Sequence, residues 1–356
     1  MTARVKVIGA GSIGNHLGHG CRTLGMDVTI CDIDRSALER ARDVIYPNRY
    51  GSWDDAITLA TPDELVGEAF DIVIVGTPPA THLKVATVEL ETTRPGVILI
   101  EKPLAHPSST DIDTFIAAAE GSDTRVLVGY NQRLKPNTKH FVHLATTLDL
   151  GQLKGLSSNM LESWDGILKA HFWMTSERDS YLAFTDQGGG ALLEHSHALN
   201  LFLYFADVLG QGRVTDVVGD IEWVSHEDGR YDRDSALSLT LESGLVGTVR
   251  QDLHTWPASK EAIATFEKGA LVWSMGDSSD RVEHRSTSGE LIEAWDFPKT
   301  RPDDFIGELE HLHSVWENPK TKSPIDLPAG VAVLDVILAA FESSSSGTSE
   351  PVRIRD

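Results

Sequence analysis

The sequence predicts an α/β protein: an N-terminal Rossmann-type, doubly wound parallel sheet, followed by a C-terminal α+β domain with a mostly antiparallel, open-faced sheet. Three observations carry this. Up to about residue 130, near-continuous apolar runs alternate with helical stretches, the pattern of parallel strands covered on both faces. The turn Gly9-x-Gly11-x-x-Gly14 joins the first such run to the first helix. Further on, "DVVGDIEWVSH", "SALSLTLES" and "LVGTVRQDL" alternate apolar with polar residues, the period of half-buried antiparallel strands.

In chain order, "VKVI" and "DVTIC" flank the glycine turn and its helix, which carries Ile13, Leu17, Cys21 and Leu24. "FDIVIVGTPP", "GVILIEKPL" and "RVLVGYNQR" supply three more strands, with helices expected at residues 80 to 91 and 109 to 120. A helix is expected over 191 to 206, where no glycine or proline interrupts the apolar pattern, and two more at 303 to 315 and 329 to 343. The run "SSSSGTSE" reads as a loop before a last strand, "PVRIR". At 356 residues, two domains are expected, 1–125 and 126–356.

With 53 acidic and 31 basic residues the net charge is −22, which repels nucleic acid and anionic membrane surfaces. Two cysteines, Cys21 and Cys31, are too few for a disulfide framework or a cysteine zinc site. No export signal is read at the N-terminus and no apolar run of membrane-spanning length is expected, so a cytoplasmic protein is expected.

The glycine turn has a chemical reading. Gly9 permits the tight turn, Gly11 lets a pyrophosphate approach the backbone, and Gly14 lets the helix lie close to the strand. Amides at the start of the helix, from Ser12 and Ile13, then face the phosphates. Asp32 ends the second strand 18 residues after Gly14, where a carboxylate accepts from the adenosine ribose 2′-hydroxyl and repels a 2′-phosphate. NAD is therefore the expected cofactor; Arg35, close by, leaves NADP open.

Lys102, with Glu101 and Pro103, follows a buried strand at its carboxyl end, where open α/β sheets bind ligands. "GAGSIG", "GTPPATH" with Thr77, Pro78 and His82, "EKPLA", "GYNQRLKP" with Tyr130, Asn131 and Arg133, and "GGGALLEHSHALN" occur in that order. Together they resemble the glucose-fructose oxidoreductase, inositol dehydrogenase and rhizopine catabolism protein family (Gfo/Idh/MocA) along nearly the whole chain. The resemblance implies an NAD(P)-binding first domain, and a second domain whose open sheet makes a homodimer or homotetramer interface. It implies hydride transfer at a hydroxyl-bearing carbon of a sugar, polyol or related compound. It further implies that Thr77, Pro78, His82, Glu101, Lys102 and Asn131 border the cofactor, and that Lys102 and His197 are the catalytic pair. Two departures stand out: the acid, Glu194, lies three residues before the histidine rather than four, and Asn200 replaces an aspartate.

Two residues apart on a helix, His195 and His197 point about 200° from each other, so a continuous helix cannot bring both to one metal, and no metal is expected. Glu194 and His197 would share a face, with His195 turned to the apolar side. An imidazole with an unperturbed pKa of about 6.5 can take or give the hydroxyl proton that accompanies hydride transfer; a satisfied core histidine is the alternative. Substrate contacts are expected from Lys102, Tyr130, Arg133, Trp164, His171, Glu194 and His197, with Asp165, Trp173 and Tyr181 nearby in a polar, aromatic segment; core packing is the alternative reading of that segment. Two other functions fit the same residues: redox-neutral cleavage of glycosidic bonds with recycled NAD, and NAD(H) sensing without a reaction.

Overall fold

Valine and isoleucine dominate the first strands, and the computed structural model, which describes residues 2–170, 174–300 and 302–355, buries them in a parallel sheet. Strands β1 (Arg4–Ile8), β2 (Asp27–Cys31), β3 (Thr58–Ala60), β4 (Ile72–Val75), β5 (Val97–Ile100) and β6 (Arg125–Val128) line up in the order 3-2-1-4-5-6. All five pairings are parallel, and the order reverses between β1 and β4. That reversal opens a crevice at the carboxyl ends of the strands, the place where such sheets bind dinucleotides. The helices of this part are α1 (Ser12–Thr23), α2 (Arg35–Arg40), α3 (Tyr46–Tyr50), α4 (His82–Glu91) and α5 (Ile112–Glu120). Lys6 of β1 and Glu89 of α4 form a buried ion pair at 2.7 Å, which fixes α4 on the sheet.

The expected strands and helices of this half are present; the sequence reading missed β3, three residues at the sheet edge. Two compact units divide the chain: Met1–Asn131 with Pro302–Pro328, and Gln132–Arg301 with Ala329–Asp356. A single cut after residue 125 does not describe this, because the chain returns to the first unit late. There the helix Asp303–Glu317 packs on α1: Phe305 stacks on His16 with ring centroids 4.8 Å apart, and Leu309 lies so close to Gly20 that an added Cβ would sit 2.4 Å from it. Asp326 then pairs with Arg125 at 2.6 Å.

In the second unit, α6 (Pro136–Thr147), β7 (Leu153–Leu161), α7 (Trp164–Ala170), α8 (Ala191–Glu194) and α9 (His197–Val208) precede the meander β8 (Val214–His226), β9 (Gly229–Leu241) and β10 (Val246–Asp252). Strands β11 (Ser259–Phe266), β12 (Gly269–Met275), β13 (Ser279–Arg285), β14 (Leu291–Pro298) and β15 (Glu350–Pro351) complete a nine-stranded sheet. Every neighbouring pair is antiparallel except β7 with β10. Two-residue turns at Glu227–Asp228 and Glu267–Lys268 set the β8–β9 and β11–β12 registers. The last strand is Glu350–Pro351 rather than the whole of "PVRIR".

With the returning helix as α10, the last helix is α11 (Leu327–Ser346), and it corrects two expectations. The serine run begins inside it, because Ser343 is buried against β8, where its Oγ accepts the Gly219 amide at 3.0 Å. By length and composition α11 could cross a membrane, but 61% of its most apolar window is buried, so its apolarity is that of a core helix. At Gly219 the contact is close enough that an added Cβ would lie 2.7 Å from the Ala340 carbonyl oxygen. Gly219→Ala should cost about 1–3 kcal/mol in urea unfolding. Gly155→Ala, in a strand position with room for the methyl, should not destabilise.

Candidate active site

In the first unit, the glycine turn separates packing from ligand access. A Cβ on Gly9, whose φ is +108°, would lie 2.6 Å from the Gly76 carbonyl oxygen, and one on Gly14 would lie 1.9 Å from that of Gly9. Those two glycines serve the protein's own packing. A Cβ on exposed Gly11 would meet nothing within 4 Å, so its bareness serves no internal contact and suits an approaching pyrophosphate. Ser12 and Ile13, half-buried, begin α1 directly behind it.

Asp32 stands at the end of β2 as expected. Its Oδ2 accepts the Ala10 amide at 2.8 Å and its Oδ1 that of Asp34 at 2.9 Å, so the carboxylate also shapes the turn. Arg35 is paired with Glu64 on the surface, which draws its guanidinium onto a carboxylate and weakens the NADP reading.

Beyond β4, Thr77 is half-buried and Pro78 exposed, while His82 is fully buried. Its Nδ1 lies 2.9 Å from the Pro103 carbonyl oxygen and its Nε2 2.6 Å from that of Thr77. Burial holds the imidazole below its ordinary pKa. His82 thus braces the loops after β4 and β5 against each other, from the interior rather than from a ligand-facing position. Lys102 is half-buried, and its amide donates to Glu101 Oε2 at 3.2 Å. The Glu101 carboxyl lies over Gly129. Glu308 of α10, 2% exposed, is held well above the usual carboxyl range by burial and by Glu101. Asn131 donates to the Asp304 carbonyl at 3.0 Å, tying it to α10. Tyr130 is fully buried, so its expected substrate contact is replaced by packing.

In the second unit the expected helix over 191 to 206 is two helices. It breaks at His195 and Ser196, where the amides of Ser196 and Ala198 bond back only three residues, to Leu193 and His195. Helical periodicity therefore does not run from Glu194 to His197. Both remain half-buried while His195 and Ser196 are buried, so the inward turn of His195 holds for a different reason. Asp232 Oδ2 accepts the Leu192 amide at 2.7 Å, and Gln251 Nε2 donates to the Leu192 carbonyl at 3.0 Å. Strands β9 and β10 thus grip both polar sides of the first turn. Gly190, at φ +103°, lies so near that an added Cβ would be 1.7 Å from Asp232 Oδ1.

Arg133 is buried: its Nε donates to Asn200 Oδ1 at 2.7 Å and its Nη2 to the Asn200 carbonyl at 2.9 Å, over the Tyr204 ring. It anchors α9, in place of the expected substrate contact, and Asn200 is its neutral partner. Trp164 donates to the Tyr231 hydroxyl at 3.2 Å and, with Tyr181, packs on the cluster of Ile167, Leu182, Ala183, Ala191 and Leu253, which favours core packing for that segment. His171 and Trp173 lie outside the described residues. Among the described residues, the one compact group of metal-ligand type is Asp234, Asp252 and His254. Arg250 occupies Asp234 at 2.7 Å, and Thr255 and two amides occupy Asp252, so these oxygens already serve the protein.

Asp232, Gln251 and Glu308 were missed by sequence reasoning. The available signal was weak: polar residues within otherwise apolar, alternating segments. Burial pushes the Asp232 carboxyl up to about 7. Because its folded pKa exceeds the unfolded one, its contribution to stability is full below about pH 4 and is lost as pH rises to about 7. Over that window the loss is roughly 4 kcal/mol at most. Asp232→Asn should remove it, so urea midpoints of variant and wild type should lie closest at pH 4 and diverge, variant higher, by pH 8.

Residues 3–130 match the model for the Gfo/Idh/MocA family, described as an oxidoreductase family with an NAD-binding Rossmann fold. No curated protein matches the sequence. Among solved structures, levoglucosan dehydrogenase in complex with NADH and L-sorbose is similar over 100% of both chains, at 16% identity and TM-score 0.79. The WlbA dehydrogenase from Bordetella pertussis, in complex with NADH and UDP-GlcNAcA, is similar over 100% of both chains, at 18% identity and TM-score 0.71. GenD2 from gentamicin A biosynthesis, in complex with NAD, is similar over 99% of this chain and 97% of its own, at 19% identity and TM-score 0.75. At these identities the likeness is one of fold. The match to the Gfo/Idh/MocA oxidoreductase family thus covers residues 3–130, the part described as an NAD-binding Rossmann fold.

Proposed function

We propose that the protein is an NAD-dependent dehydrogenase or reductase acting on a hydroxyl-bearing carbon of a sugar, polyol or sugar derivative. The observation that carries this is Lys102, half-buried at the carboxyl end of β5 in a domain of NAD-binding type, immediately after a buried strand. Bound NAD supplies a hydride acceptor. In the oxidative direction His197 takes the hydroxyl proton, and the carbon's hydrogen leaves with both bonding electrons. Lys102 hydrogen-bonds the same oxygen and stabilises its developing negative charge. Glu194 orients His197 or binds a neighbouring hydroxyl, and Asp32 selects NAD.

The sugar ligands named for levoglucosan dehydrogenase and the WlbA dehydrogenase support the substrate class. The two free, buried cysteines suit a reducing cytosol. The outer face of the nine-stranded sheet carries a depression of about 470 Å³ lined by Ile263, Thr265, Val272 and Arg285, which suits self-association into a dimer or tetramer. Light scattering checks that assembly, and a monomer contradicts it.

A panel of sugars, inositols and sugar nucleotides, followed by NADH absorbance, should show net reduction of NAD with at least one compound, and NAD should outperform NADP. Lys102→Met and His197→Ala should each retain NAD binding and lose about 10²- to 10⁴-fold in turnover. Unchanged turnover in both removes the assignment. Substrate consumption without net NADH points instead to glycoside cleavage, and tight NADH binding without turnover to a sensor.

A further inference from the structure

We propose that His82 is a two-ended positioning residue: its Nε2 sets the loop after β4 that carries Thr77, and its Nδ1 the loop after β5 that carries Lys102. The inference rests on the dehydrogenase reading and adds to it a buried residue that acts through its neighbours. The ring is 1% exposed, with Nε2 2.6 Å from the Thr77 carbonyl oxygen and Nδ1 2.9 Å from that of Pro103. Thr77 and Pro103 both lie outside strands and helices, so no regular ladder satisfies their carbonyls. Each loop has its own task. The glycine turn rests on the Thr77 segment: a Cβ on Gly9 would lie 2.6 Å from the Gly76 carbonyl oxygen and 3.3 Å from the Thr77 nitrogen. The other carbonyl belongs to the residue next to Lys102. The carrier of the ring is fixed, because His82 opens α4, which the buried ion pair of Lys6 and Glu89 holds on the sheet.

Both acceptors are carbonyls, and a neutral imidazole has a single N–H. Burial disfavours the imidazolium more than the surrounding carbonyls favour it, and the Lys102 charge disfavours it further. The neutral ring therefore donates to one carbonyl at a time, to Thr77 as the Nε2–H tautomer and to Pro103 as the Nδ1–H tautomer. Amide side chains separate the two ends. An asparagine Nδ2 stands as many bonds from Cα as the histidine Nδ1, and a glutamine Nε2 as many as the histidine Nε2.

The test uses the full-length protein, with NAD affinity measured by calorimetry without substrate, and kcat at saturating NAD with the best sugar of the panel. His82→Gln, with its donor at the Thr77 end, should bind NAD within about threefold of wild type and lose roughly tenfold in kcat. His82→Asn, with its donor at the Pro103 end, should show the reverse: roughly tenfold weaker NAD binding, and kcat within about threefold. A merely structural role would impair both quantities together in both variants. That result, or wild-type values of both quantities in either variant, overturns the proposal. Should the variants not fold, nitrogen-15 spectra of the wild-type ring decide: both tautomers populated is the expected result, and a single tautomer overturns it. A wild type that does not bind NAD overturns the cofactor reading, and the ring spectra still test the brace. A protein that binds NAD but oxidises no sugar contradicts the dehydrogenase reading alone. His82 is then judged on NAD affinity, which should be weaker in His82→Asn than in His82→Gln.

Discussion

The close approach of α1 to β1 at Gly14 is the contact on which the first unit depends. With no side chain there, the helix starts where its amides can serve a pyrophosphate, and its length becomes a platform. His16 and His19 receive α3 on one stretch, and His16 and Gly20 receive α10. Helix α10 in turn brings Glu308 to Glu101, beside Lys102. One small residue thus sets the turn, the seat of α3 and the buried acid beside Glu101. A side chain at Gly14 would displace all three.

The second unit uses a different device for the same purpose. Its sheet holds a four-residue helix by a carboxylate on the amide side and a carboxamide on the carbonyl side. Burying Asp232 is unfavourable, as its raised pKa shows, and the Leu192 amide and the Ser235 hydroxyl at 3.1 Å offset part of that. What this secures is the corner at His195 and Ser196, which stands between the half-buried Glu194 and His197.

The features legible in the sequence were local ones. The glycine turn, Asp32 and Lys102 are fixed by spacing around strands whose apolar runs identify them. The break after Glu194 was not legible, because no glycine or proline marks it; the signal is tertiary, from residues about 40 and 60 positions downstream. Asp232 was hidden further by a register shift in the β8–β9 pairing near Trp223, alongside which Tyr231 and Asp232 are both buried and strict alternation fails. Glu308 and Arg49 make contacts across long sequence separations that no local motif records. Buried Arg133 and Tyr130 show the opposite error: a family motif contains residues that hold the site up as well as residues that face it.

In the proposed reaction a hydrogen bound to substrate carbon passes with its electrons to NAD. Turnover of a sugar carrying deuterium at the oxidised carbon, with the reduced cofactor weighed by mass spectrometry, tests it directly. The reduced cofactor should be one deuterium heavier and form more slowly than from unlabelled sugar. Reduced cofactor without the label, or labelled sugar consumed with no reduced cofactor formed, would contradict it.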